Sequence, residues 1–145
     1  MNKAFLREPD ADVRVMCPRC ATPGTQVDSG PLDNHIMPQH RDRLPNHAWY
    51  CSQISCDVAY FSNVGHLVIL DELRSAVYPY DIDAPICACF GFGYDEVEAD
   101  VLAAKPERIR NLLLRSQSAE ARCSTLAVDG QCCIKEIQRL YLKLR

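Results

Sequence analysis

Nine cysteines stand at positions 17, 20, 51, 56, 87, 89, 123, 132 and 133 of a 145-residue chain. An odd total argues against a simple disulfide framework, and clustered reduced thiols usually bind metal. Four of them form two close pairs, CPRC (17–20) and CSQISC (51–56), separated by a 30-residue loop. Strands that bring the pairs together supply four thiolates in a tetrahedron from Cys17, Cys20, Cys51 and Cys56. An all-sulfur tetrahedron suits zinc or iron, and zinc is the expected ion. With four protein ligands such a site is structural, because no position remains open for water. The competing readings are four free buried cysteines or a thioredoxin-like redox pair. The redox pair wants a βαβ setting, which the prolines around it disfavour. His35, His40, His47 and His66 are alternative ligands, read as loop or surface histidines if the thiolate set is complete.

The segment PICACFGFG (85–93) poses a different problem. Zinc sites prefer two to four residues between paired cysteines, whereas Cys87 and Cys89 flank a single alanine. A C-x-C pair holds its sulfurs along a short extended loop and suits an iron–sulfur cluster, in which thiolates ligate two irons. Cys123 and the adjacent Cys132–Cys133 pair supply the remaining sulfurs. Adjacent residues on a helix point about 100° apart, so only one of Cys132 and Cys133 is expected to reach the cluster. Gly91 and Gly93 let the backbone curl close to a cluster, with N–H groups available to sulfur. Phe90 and Phe92 are expected to screen it from water. The plainer alternative is a Phe-Gly turn leading into an ordinary core helix.

The elements that must position these thiols differ between the two halves. From Met16 to about Val77 the pattern is short strands and loops, with Pro18, Pro23, Pro31, Pro38 and Pro45 expected to break up any helix. HAWY (47–50), DVAYF (57–61) and HLVIL (66–70) read as strands by their aromatic and β-branched content. Residues 71–77 suit a short helical turn, and YPYDIDAP (78–85) reads as a linker. The second half reads as helical. YDEVEADVLAA (94–104) is expected to turn Val97, Val101 and Leu102 inward. PERIRNLLLRSQ (106–117) opens with Pro106, a favoured first helical residue, and turns Ile109, Leu112 and Leu113 inward. QCCIKEIQRLYLKL (131–144) aligns Ile134, Ile137, Leu140, Tyr141 and Leu144. The expected class is α+β: a zinc-binding β-rich lobe over 1–78, then a helical [2Fe–2S]-binding lobe over 79–145. Neither half buries much core by itself, so each needs a metal staple.

Composition narrows the function. Hydrophobic residues make up 48% and charged residues 24%, a globular balance, with net charge −3. Residues 1–78 carry seven basic and nine acidic groups, and 79–145 carry nine and ten. No basic face is evident, so no nucleic-acid partner is expected. MNKAFLREPDADVRV has no apolar core of signal-peptide length, and no run reaches the roughly 18 apolar residues of a membrane span. The expected location is the cytoplasm. No H-E-x-x-H, Walker loop, G-x-S-x-G or Cys–His catalytic pairing is present, so a conventional enzyme is not indicated.

The combination of CSQISCDVAYFS, ICACFG, a lone Cys123 and a GQCC helix start resembles the N-terminal domain of archaeal-type CopZ copper chaperones, over roughly residues 15–142. Residues 86–142 also resemble the bacterioferritin-associated ferredoxin class, with its C-x-C and helical [2Fe–2S] fold. The resemblance implies zinc on Cys17, Cys20, Cys51 and Cys56, and a [2Fe–2S] cluster on Cys87, Cys89, Cys123 and one of Cys132 or Cys133, with Cys133 favoured by its spacing from Cys123. It implies a protein that reduces Cu(II) to Cu(I) and passes the ion on. Full-length members also carry a C-terminal heavy-metal-associated domain with an M-x-C-x-x-C loop. None lies between the last cysteine and Arg145, and VMCPRC is no substitute, its cysteines being committed to zinc. Delivery to a separate metal-carrying or metal-transporting protein is therefore expected, with mercury or another thiophilic metal as an alternative cargo. A ferredoxin-like electron carrier and a non-redox zinc-binding interaction module are the alternative functions.

Overall fold

The aromatic-rich segments HAWY and VAYF build the middle of a four-stranded antiparallel sheet. In the computed structural model, which describes residues 14–145, the strands are β1 (Thr25–Asp28), β2 (His47–Tyr50), β3 (Val58–Phe61) and β4 (Leu67–Ile69), in that spatial order. Residues 1–13, most of the MNKAFLREPDADVRV stretch, lie outside the described residues. The three expected strands form. The fourth, β1, holds a single apolar residue, Val27, and gave no strand signal.

β3 is buried along its whole length because both sheet faces are covered. One face carries Ala48, Tyr50, Tyr60 and Val68 into a core with Val27, Leu32, Ile36 and Leu44. The other carries Trp49, Phe61 and Leu67 towards Cys17, Cys51 and Cys56. A register irregularity between Val58 and Tyr60 puts Val58 with the thiols although Tyr60 faces the main core. Strict alternation would have put both on one face, and a local bulge re-aims such a side chain.

Two helices interrupt the first half where prolines were expected to prevent any: α1 (Ser29–His35) and α2 (Pro38–Arg41). Pro31 falls in the first turn of α1 and Pro38 opens α2. At those positions the missing N–H has no helical partner to lose. The helical turn expected over 71–77 is a single 3-10 turn, Leu70–Glu72.

The second half contains α3 (Tyr94–Leu102), α4 (Glu107–Ser116), α5 (Cys123–Leu126) and α6 (Ile134–Leu144). Val97, Ile109, Leu112, Ile134, Ile137 and Leu140 make its core, with Cys87 and Phe92 at one end. The inward face of α3 differs from expectation: Val97 and Asp100 are buried, and Leu102 is 87% exposed. Asp100 is drawn in because α4 begins on Pro106, which offers no capping side chain. The Asp100 carboxylate accepts from the N–H groups of Arg108 (3.3 Å) and Ile109 (2.9 Å), capping α4 from the neighbouring helix.

The segment from Arg122 to Cys133 lies against the sheet half. Asn34 Nδ2 donates to Thr125 O (3.0 Å), His35 Nε2 meets Leu126 O (2.6 Å), and the Tyr60 hydroxyl donates to Val128 O. A Cβ on Gly30 would sit 2.9 Å from Thr125 Cα, so α1 and α5 approach this closely only at glycine. The class is mixed α+β, as expected. No helix among the described residues is long and apolar enough to cross a membrane.

Candidate metal centres

The CPRC pair sits in a knuckle closed by Met16 pairing with Pro23, by the Cys17 N–H to Thr22 O and by the Ala21 N–H to Cys17 O, both 2.9 Å. Ala21 takes a left-handed conformation, φ 62°, which folds the chain back tightly enough to aim both thiols one way. Cys51 follows β2 and is held by its N–H to Ala59 O, while Cys56 closes a turn onto Gln53 O. The structure brings all four sulfurs together, each within 4.8 Å of the others. Cys17 and Cys56 stand 3.9 Å apart, and Cys20 and Cys51 stand 3.6 Å apart. Zn–S bonds of about 2.3 Å set tetrahedral S–S edges of about 3.8 Å, so the donor set and its spacing fit zinc. Cys17, Cys51 and Cys56 are buried and Cys20 is half-buried.

The surroundings prepare Cys20 to ionise first. The Thr22 hydroxyl, 3.3 Å away, pulls its thiol down to about 6. Burial pushes the Cys51 and Cys56 thiols up. Without a cation this pocket therefore keeps protons that a metal must displace. Two neighbours had no distinguishing signal in the sequence. Arg19 pairs with Asp57 across the two knuckles, and the Tyr80 hydroxyl lies at Cys51 O (3.0 Å) and Gln53 O (3.1 Å). Tyr80 belongs to the segment read as a linker; it packs on the zinc-type site. None of the four histidines joins the quartet. His35 meets Leu126 O, His40 meets Glu72, His47 meets Gln26 and Asp28, and His66 sits before β4.

The other five cysteines adopt a different arrangement. Among the described residues, only the first quartet closes to within 4.8 Å. Cys89 and Cys123 stand 3.7 Å apart, and Cys87 lies beside both Cys133 and Cys89. The neighbouring Cys133 thiol, with N–H groups from Phe90 and Cys89, holds the Cys87 thiol at about 6 despite its burial. Burial pushes Cys123 up to about 12. A set more open than one tetrahedron fits a centre of two irons, which takes four thiolates in all. Cys132 is exposed.

The aromatic and glycine residues of this loop have separate duties. Gly91 needs its freedom, with φ 69°. Phe92 is 5% exposed, and its carbonyl accepts from the Ile86 and Cys87 N–H groups, closing the loop. Phe90 is half-buried beneath the Arg115 guanidinium, 4.2 Å from its ring centroid. The Arg122 N–H lies 3.4 Å from Cys89 Sγ. Arg115 and Arg122 escaped the sequence reading because nothing local marks residues 25 and 33 positions from their partners. Cys132, Cys133, Asp129, Glu136 and His35 line a cleft of about 490 Å³ between the lobes.

Residues 14–74 match the family model described as a zinc binding domain of the CopZ type. Among solved structures, the X-ray structure of the Archaeoglobus fulgidus CopZ N-terminal domain is similar to this chain at 21% identity, TM-score 0.72. The match covers 86% of this chain and 96% of that one. The search of curated proteins returns no match. The chain thus has the fold of that N-terminal domain, and the likeness in sequence is confined to residues 14–74.

Proposed function

We propose that this chain is a metal-handling redox protein. In this reading residues 1–78 form a zinc-held scaffold on Cys17, Cys20, Cys51 and Cys56. Residues 79–145 form a lobe of the bacterioferritin-associated ferredoxin kind that holds a [2Fe–2S] centre on Cys87, Cys89, Cys123 and Cys133. The observation that carries it is the contrast between one closed sulfur tetrad and a second, more open set of thiols, with Cys89 and Cys123 3.7 Å apart, in the same chain. Bound there, the [2Fe–2S] centre supplies electrons singly, which is the stoichiometry of Cu(II) reduction.

The chain's own residues suit a cationic cargo. Asp129 gives the cleft a carboxylate that attracts a divalent cation, Glu136 there being paired with Arg139, and Cys132 offers a soft ligand on its wall. Thiolates select Cu(I) over Cu(II), so an ion passed to a cysteine-rich carrier must first gain an electron. The proposed activity is reduction of Cu(II), or equivalent handling of another thiophilic ion, followed by transfer to a separate protein within a reducing compartment such as the cytoplasm.

Anaerobic purification should give a reddish-brown protein with about two irons, two sulfides and one zinc per chain. One equivalent of Cu(II) added to the reduced protein should restore the stronger absorption of the oxidised state, with matching Cu(I) captured by a chelator. The Cys87→Ser variant should do neither. A colourless protein with zinc in both sites would leave only a binding module. Release of iron by Cu(II) would favour a plain electron carrier.

A further inference from the structure

The thiols of the second set differ in access. Cys87 is 2% exposed, whereas Cys89 and Cys123 are both half-buried and form an edge nearer solvent. Two arginines stand at that edge, while the acidic residues Asp83, Asp95 and Glu96 line a separate hollow with Gly91 and Gly93. Arg115 stacks over Phe90, the residue next to Cys89, and Arg122 donates its N–H to Cys89 and precedes Cys123. Both arginines are exposed, and neither has a carboxylate partner among the described residues. Between Ile109 and Arg122 the chain carries Arg110, Arg115 and Arg122 against one acid, Glu120. Leu114, 68% exposed, adds apolar surface beside Arg115. In a chain of net charge −3, this is a local reversal of sign at the exposed edge of the thiol cluster.

We infer that the Arg115–Arg122 rim beside Cys89 and Cys123 is the docking surface for an acidic one-electron carrier protein that reduces this chain. The inference rests on the cluster reading above. Cys87, Cys89, Cys123 and Cys133 would hold a centre able to take up the one electron the carrier gives, with no bond made or broken and no proton moved. Complementary charge steers such short-lived complexes, raises their association rate and makes it fall with salt. The carboxylates Asp129 and Glu136 lie by contrast in the cleft at Cys132, so donor and metal cargo would approach different sides.

The test uses the anaerobically purified full chain and a flavodoxin as the acidic probe. Association is followed by stopped-flow fluorescence at several ionic strengths, with iron, sulfide and zinc measured on the same preparation. The Arg115→Glu/Arg122→Glu variant should associate about tenfold more slowly and with a flatter salt dependence. Lys143→Glu, near the far end of α6 from Cys133, should behave as wild type. If the double variant fails to fold, the single Arg115→Gln and Arg122→Gln variants should each reduce the salt slope. Salt-insensitive binding by wild type, or equal rates in all variants, overturns the surface. An iron-free preparation whose association still depends on these arginines keeps the surface and rejects the cluster.

Discussion

At the residue scale the distinction that matters is between two adjacent thiols. Cys133 lies beside the buried Cys87 and is itself half-buried, while Cys132 stands exposed on the cleft. Consecutive residues cannot share one direction, so the fold commits one sulfur inward and leaves the other free. Cys133→Ser should abolish or shift the visible absorption of the anaerobic protein. Cys132→Ser should leave iron content and spectrum near wild type and lower the yield of captured Cu(I). A reversed pattern would move the fourth ligand to Cys132.

At the element scale, the helices are held by side chains from their neighbours. Asp100 is fully buried, with Arg108 and Ile109 of α4 as partners. Asp100→Ala leaves the first turn of α4 uncapped and should cost about 3 kcal/mol, read as a lower urea midpoint with an unchanged slope. The contact of α1 with α5 should titrate. Burial holds His35 below its usual 6.5, with the Leu126 carbonyl and the Asp129 carboxylate opposing that shift. The folded state therefore prefers neutral His35, and the unfolded state binds the proton more readily. Stability from this group is complete above about pH 6.5 and falls as pH drops below it. Between pH 7.5 and 5.5 the melting temperature should drop more in wild type than in His35→Gln. Equal drops would mean that His35 does not govern this contact.

At the scale of the whole molecule, the two thiol sites are mechanically joined. Two of the cluster-type cysteines, Cys123 and Cys133, bound a segment that rests on α1 and β3 through Asn34, His35 and Tyr60. Tyr80 ties the chain between the lobes to the carbonyls of Cys51 and Gln53. Cys17, Cys51 and Cys56 share a small core with Val58 and Phe61, so metal there contributes to the sheet that supports that segment. Removing zinc, by chelator or by Cys56→Ser, should lower folding stability and also accelerate loss of iron. Cys87→Ser should remove iron and leave zinc bound. Independent loss of the two metals would show that the junction transmits nothing.

The sequence by itself determined that the thiols fall into two sets of different spacing, and the class of most elements. C-x2-C, C-x4-C and C-x-C are local facts, because reach is set within a few residues. The same holds for the aromatic and β-branched runs of β2, β3 and β4 and the apolar stripe of α6. Short or proline-opened elements were not legible: α1, α2, α5 and β1 have too few residues for periodicity, and contacts with distant segments hold them. Tertiary structure alone decided that Cys17 faces Cys56, Cys20 faces Cys51, Cys89 faces Cys123 and Cys87 faces Cys133. It also decided that Asp100 is buried and Leu102 is not. These are choices between segments separated by roughly ten to forty positions, and a chain's local propensities carry no information about which distant partner will cover a given face.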